Sequence, residues 1–182
     1  MMKPDPIPPD LAPGVPDIDV CVKSSLWDDA LPDAAALTRD AGEAALRMVP
    51  TGSDDPGVEV SIVLADDAFV QGFNRQYRDR DEPTNVLSFP ASGEGTPKTD
   101  MPVLLGDIIV AYETAASEAA RESKTLGDHL SHLIVHGMLH LLGFDHQATA
   151  DADVMETLEI DVLAALNIAN PYQAATEDDL SP

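Results

Sequence analysis

Two segments of the chain alternate apolar and polar positions in the manner of half-buried strands. Ile18, Val20 and Val22 alternate with polar residues or Cys21, and Val58, Val60, Ile62 and Leu64 alternate without a break. Val86-Leu-Ser-Phe89, closed by Pro90, predicts a short third strand, and the apolar run at 104–111 predicts a fourth. Helical spacing fills the intervals. Leu37, Ala41, Ala44, Ala45 and Met48 share one face of the segment 26–48, where Pro32 and Asp33 place the start of the regular helix. Asp66 and Asp67 are candidate caps for a helix carrying Phe69, Val70, Phe73 and Tyr77. A further helix is predicted over 113–123, and Asp128 opens another that is rich in histidine. The last, over 151–166, puts Val154, Leu158, Val162 and Leu166 on its inner side. Glycine and proline make 51–57 a turn and 92–102 a mobile loop. Four strands interleaved with about five helices predict an α+β domain, a small four-stranded mixed sheet packed by helices in three layers or fewer.

At 182 residues the chain fits one domain. Residues 17–173 form it, after a proline-rich disordered arm at 1–16 (Pro4, Pro6, Pro8, Pro9, Pro13, Pro16) and before an acidic tail at 174–182. Aromatic residues are only 4% against 44% apolar, so the core should be aliphatic. The arm lacks the charged start and apolar run of a signal peptide, and no segment approaches the ~20 apolar residues that span a bilayer. Cys21 is the single cysteine and has no partner for an internal disulfide, which fits a reducing, cytoplasmic setting. The formal charge of −23 repels phosphate at long range and works against any nucleic-acid reading. Against that background Arg75, Arg78 and Arg80 place three of the ten cations within six positions.

All five histidines fall between His129 and His146, three of them in His136-Gly-Met-Leu-His140-Leu-Leu-Gly-Phe-Asp-His146. On a helix His136 and His140 project from one face, one turn apart, within reach of one ion. Gly143 can take the left-handed conformation that turns the chain back and brings His146 to the same place. Three neutral nitrogens suit zinc, one ion per chain, and leave a tetrahedral position open for water, as in a catalytic site. The bland alternative for any one of these histidines is a hydrogen-bonded core residue. His132 lies two turns, roughly 12 Å, from His140, which points to a supporting or substrate-facing role or to packing. His129 is structural or exposed on this reading.

The histidine string resembles the extended zinc motif of the metzincin proteases, His-Glu-x-x-His-x-x-Gly-x-x-His, except that Gly137 stands in the place of the glutamate base. That loss of a proton acceptor demotes a peptidase reading. Three segments together are similar to a different family. They are Tyr77-Arg78-Asp79-Arg80-Asp81-Glu82-Pro83-Thr84-Asn85-Val86-Leu87-Ser88-Phe89-Pro90, Leu105-Gly106-Asp107-Ile108 and the histidine string, and the closing Asn170-Pro171-Tyr172 also fits. In their order and spacing they resemble the YbeY family of ribosomal-RNA maturation factors and single-strand endoribonucleases, over residues 58 to 173. The resemblance implies a small sheet packed by helices with zinc in a cleft, held by His136, His140 and His146, and a functional arginine at Arg78. It also implies work on single-stranded ribosomal RNA, at the 3′ end of the small-subunit species, and a role in ribosome assembly and quality control. The long arm and the strongly acidic balance lie outside that pattern.

Beside the resemblance, the residues keep their own readings. A guanidinium at Arg78 can grip two phosphate oxygens, or it can form a surface ion pair with Asp79 or Asp81. Thr84, Asn85 and Ser88 suit local backbone hydrogen bonding. Asp107, next to Gly106 on an apolar strand, reads as a buried acceptor or a partner of a histidine, and Asp145 as a support for His146 or the turn. Glu82, Glu94 and Glu118 are possible bases that spacing does not separate. The acidic surface implies that RNA affinity comes through the small ribosomal subunit, by way of a basic ribosomal protein, with no membrane involved. Two rivals stand: a zinc-dependent hydrolase of peptides or small molecules, and a non-catalytic assembly factor ordered by zinc.

Overall fold

The computed structural model describes residues 16–49, 57–91, 102–145 and 149–173. The arm up to residue 15, the acidic tail, most of the 92–102 loop with Glu94, and His146 lie outside the described residues. Four strands, β1 (Asp17–Val22), β2 (Val58–Ala65), β3 (Val86–Pro90) and β4 (Val103–Ala111), form one sheet in the order β1-β2-β4-β3. β2 runs parallel to β1 and to β4, whereas β3 is antiparallel to β4, so the sheet is mixed as its alternating pattern predicts.

Six helices accompany it in the described residues: α1 (Ser25–Ala30), α2 (Ala34–Met48), α3 (Asp67–Arg78), α4 (Tyr112–Arg121), α5 (Leu126–Leu141) and α6 (Thr149–Ala165). The sixth arises because the alanine-rich segment is two helices. Pro32 disfavours helical backbone at Leu31, which sits at φ −146° and ends α1. Asp66 caps α3 as predicted, accepting from the Phe69 N–H at 2.8 Å. α5 starts earlier than Asp128, because the Thr125 hydroxyl accepts from the Asp128 N–H at 3.0 Å and is the cap.

Strand alternation sorts the core into two clusters. Val60, Ile62, Leu64, Ile108 and Val110 face α2, α5 and α6, while Ala65, Leu87, Ile109 and Ala111 face the other way and pack with Val70 of α3. Trp27 is the one aromatic among the fully buried side chains of the described residues; its indole N–H donates to the Ala65 carbonyl at 2.9 Å. The core is otherwise aliphatic. The predicted inner face of α6 holds at Val162, which is buried, and at Leu158 and Leu166, which pack against the core, but not at Val154. Val154 is 52% exposed, and the buried positions are Met155, Glu159, Val162 and Leu163.

α5 crosses the sheet at Gly137. A Cβ there would lie 3.1 Å from Ile108 Cδ1 and 3.1 Å from Ser88 Oγ, so the absent side chain is what lets the helix approach β3 and β4 this closely. A glutamate at this position would push into a fully buried isoleucine. Position 137 is a tight packing contact, where a protease's base would press on Ile108 and Ser88.

Candidate metal centre

α5 is apolar on most sides, with Leu130, Leu133, Ile134, Val135, Met138 and Leu139 all buried, and this fixes the helix rigidly under the sheet. His136 and His140 both face one cleft beside the helix. At its end the Gly143 N–H donates to the His140 carbonyl at 3.1 Å and the Phe144 N–H to the Leu139 carbonyl at 3.0 Å, with Gly143 at φ +92°. This pair of bonds turns the chain back after the helix, as the glycine predicts. His146 itself lies outside the described residues.

The outer nitrogens decide the protonation of both rings. His140 Nδ1 lies 3.0 Å from the Phe144 carbonyl and His136 Nδ1 lies 2.7 Å from Glu159 Oε1. Carbonyl and carboxylate oxygens only accept, so each Nδ1 is a donor and each neutral ring keeps its lone pair on Nε2. Those two Nε2 atoms are 3.1 Å apart. Facing lone pairs repel unless a proton or a cation sits between them. Two nitrogens at ~2.0–2.1 Å from one tetrahedral ion are separated by roughly 3.3 Å, so the spacing fits a shared divalent cation. Among the described residues no third His, Cys, Asp or Glu completes the set.

Glu159, which sequence reasoning missed, is fully buried and lies behind His136. Besides His136, its carboxylate accepts from His132 Nε2 at 3.0 Å and from the Tyr172 hydroxyl. Burial alone would raise its pKa. The hydrogen bonds from His132, His136 and Tyr172 together outweigh burial and hold it near 2, so the acceptor stays charged at neutral pH. The same contact, with burial as the larger cause, pushes the Tyr172 hydroxyl well above its ordinary value. His132 is thus a support behind the site. His129 is buried and structural: its Nε2 meets Glu118 Oε2 at 2.9 Å, and the Asn85 amide donates to the same oxygen at 2.9 Å.

The cleft above the two rings has a volume of about 560 Å³ and is lined by Arg78, Asn85, Ser88, His136, His140 and Asp145, among others. Arg78 ends α3, where Asp79 adopts a left-handed conformation and buried Asn74 ties down the following turn by donating to the Glu82 carbonyl at 2.7 Å. The ion pair with Asp81 belongs to Arg75, at 3.9 Å; Arg78 forms none with the described residues. Asn85 and Ser88 line the cleft, and Asn85 also serves the backbone, its Oδ1 accepting from the Val86 N–H at 2.7 Å. Asp107 is a correction. It is exposed on the opposite face of the sheet, beside Phe73, Tyr77 and Phe89, because strand alternation turns it away from its neighbour Ile108. Glu82 is exposed and off the cleft lining, and Glu118 is committed to His129 and Asn85, so neither stands beside the paired imidazoles.

The chain is similar to known proteins in sequence and in fold. A family model described as endoribonuclease YbeY matches residues 30–167. An endoribonuclease YbeY from Paramagnetospirillum magneticum is 51% identical over 158 residues, covering 86% of this chain and 95% of the relative. Another from Azorhizobium caulinodans is 49% identical over 162 residues, covering 88% and 99%. A solution structure from Thermotoga maritima shares the fold, with a TM-score of 0.50 at 20% identity over 88% of this chain and 98% of that one.

Proposed function

The chain belongs to the endoribonuclease YbeY family, and on that premise we propose that it is a zinc-dependent endoribonuclease cutting single-stranded RNA in the cleft between Arg78 and the paired imidazoles. The observation that carries the reading is the convergence of His136 and His140 Nε2 at 3.1 Å on the floor of a cleft that also presents a guanidinium with no ion pair among the described residues. His136, His140 and His146 would hold one zinc ion per chain. Zinc bound there supplies Lewis-acid assistance to the scissile phosphodiester and to the attacking oxygen.

The chain's own residues do the rest. α5 and its closing turn hold the two rings in register through the Nδ1 contacts. Arg78 grips phosphate oxygens in two-pronged fashion and offsets the charge that gathers on phosphorus. Asn85 and Ser88 offer short polar groups to the backbone or ribose of an entering strand. A peptidase reading loses its footing because position 137 is a glycine in tight packing and carries no base, and because the relatives are named as endoribonucleases.

The biological setting we propose is maturation of the small-subunit ribosomal RNA 3′ end and ribosome quality control in the cytoplasm. No helix of the described residues is long and apolar enough to cross a membrane. With a charge of −23, affinity for naked RNA is weak, and a basic ribosomal protein on the small subunit docks the acidic surface and presents the RNA. Affinities for naked single-stranded RNA and for immature small subunits, measured at one salt concentration, test this. The subunits should bind at least ~10-fold more tightly, and cleavage of naked RNA should rise slightly with moderate salt before it falls. Tight binding of naked RNA that subunits do not improve would contradict partner-assisted delivery.

A further inference from the structure

The buried carboxylate of Glu159 has a relation to the cleft that packing alone does not explain. It sits at 1% side-chain exposure on α6, yet one of its oxygens is 2.7 Å from Nδ1 of an imidazole that is itself 27% exposed to the cleft. Its other oxygen is taken by His132 and by Tyr172. The segment bearing Tyr172 is held in turn, because Lys124 Nζ donates to the Pro171 carbonyl at 2.8 Å. An apolar side chain of similar size could fill the same space without the cost of burying a charge.

We propose that Glu159 is the positioning residue of this site, clamped by His132 and Tyr172 so that His136 keeps its proton on Nδ1 and aims Nε2 at the position shared with His140. This rests on the zinc reading above. A carboxylate behind a ligand ring does three things at once: it selects the tautomer, fixes the ring's heading, and makes the opposite nitrogen a stronger electron-pair donor. His132 illustrates the selection from the other side. Its Nε2 faces the carboxylate and its Nδ1 is buried without a hydrogen-bond partner among the described residues, so a neutral ring there carries its proton on the nitrogen opposite to that of His136. The two rings share one acceptor, and only His136 is left with a lone pair facing the cleft. Tyr172 closes the last approach to the carboxylate, which makes the chain around residue 172 a working part of the centre although it lines no face of the cleft itself.

Glu159→Leu removes the acceptor, and Glu159→Gln keeps one acceptor oxygen without the charge. Zinc affinity, read by competition with a chelator, should fall about 100-fold in the first and about 10-fold in the second, with a smaller loss for Tyr172→Phe. Nitrogen-15 NMR of the histidines in metal-free protein should show His136 as the Nδ1–H tautomer in the natural chain and as a mixture in Glu159→Leu. A purely structural glutamate would lower the unfolding midpoint of the metal-free protein and leave tautomer and affinity unchanged in the folded fraction, which would overturn the proposal. Should Glu159→Leu fail to fold, Glu159→Gln decides: unchanged zinc affinity overturns it. The metal reading fails separately, if the natural chain binds no zinc; the tautomer comparison still tests the positioning in that case.

Discussion

Replacing His136 or His140 with alanine is expected to abolish both metal retention and RNA cleavage while leaving the fold intact. Both rings are half-buried on the cleft side of α5, and the residues that hold that helix are the aliphatic ones around it. Removing a ring at the cleft therefore costs little packing. The loss at the ion is large: a zinc site with ~10–16 kcal/mol of binding shared over three protein ligands loses about 3–5 kcal/mol per ligand, a factor of ~10²–10⁴ in affinity. Metal content of the purified variants, with circular dichroism as the check on folding, measures this. Full occupancy in both single variants would mean that the imidazole pair holds something other than an ion.

Arg78→Ala separates the phosphate from the metal. The guanidinium lines the cleft from the end of α3 and forms no ion pair with the described residues, so its removal disturbs neither the sheet nor the histidines. Turnover on single-stranded RNA should drop by ~10²–10³, the usual cost of one preorganised donor at a site of developing charge, with zinc content unchanged. Arg78→Lys should recover only part of it, because a point charge does not reproduce the two-pronged contact. Undiminished turnover in Arg78→Ala would return this residue to an ordinary surface role.

The contrast between what periodicity reveals and what it hides follows physical lines. Val58, Val60, Ile62 and Leu64 announce β2 because one face of a strand is buried and the period of two is exact in the backbone. The pairing of His136 with His140 and the turn at Gly143 are legible because helical spacing and a left-handed turn are both local properties. Glu159 is hidden, since a charged residue on an amphipathic helix reads as solvated until the partners that neutralise it come from elsewhere in the chain. The stripe Met155, Glu159, Val162 does carry a signal: its polar member stands where a core residue belongs. Val154 misled the reading of the same helix, because apolarity alone does not say which of two adjacent stripes faces inward. Asp107 shows the converse error. Its apolar neighbours suggested burial, but alternation in β4 turns it to the far side of the sheet from the imidazoles. The break between α1 and α2 needed only the rule that a residue before proline leaves the helix, applied to Leu31.

The central claim is that this chain cleaves RNA with a metal ion held by its histidine pair. It is tested most directly by stripping the protein with a chelator, removing the chelator, and following cleavage of a single-stranded RNA as zinc is returned. The account predicts that cleavage is lost in the stripped protein and regained in proportion to added zinc, saturating at about one ion per chain. Cleavage that persists at its full rate in metal-free, folded protein would contradict it.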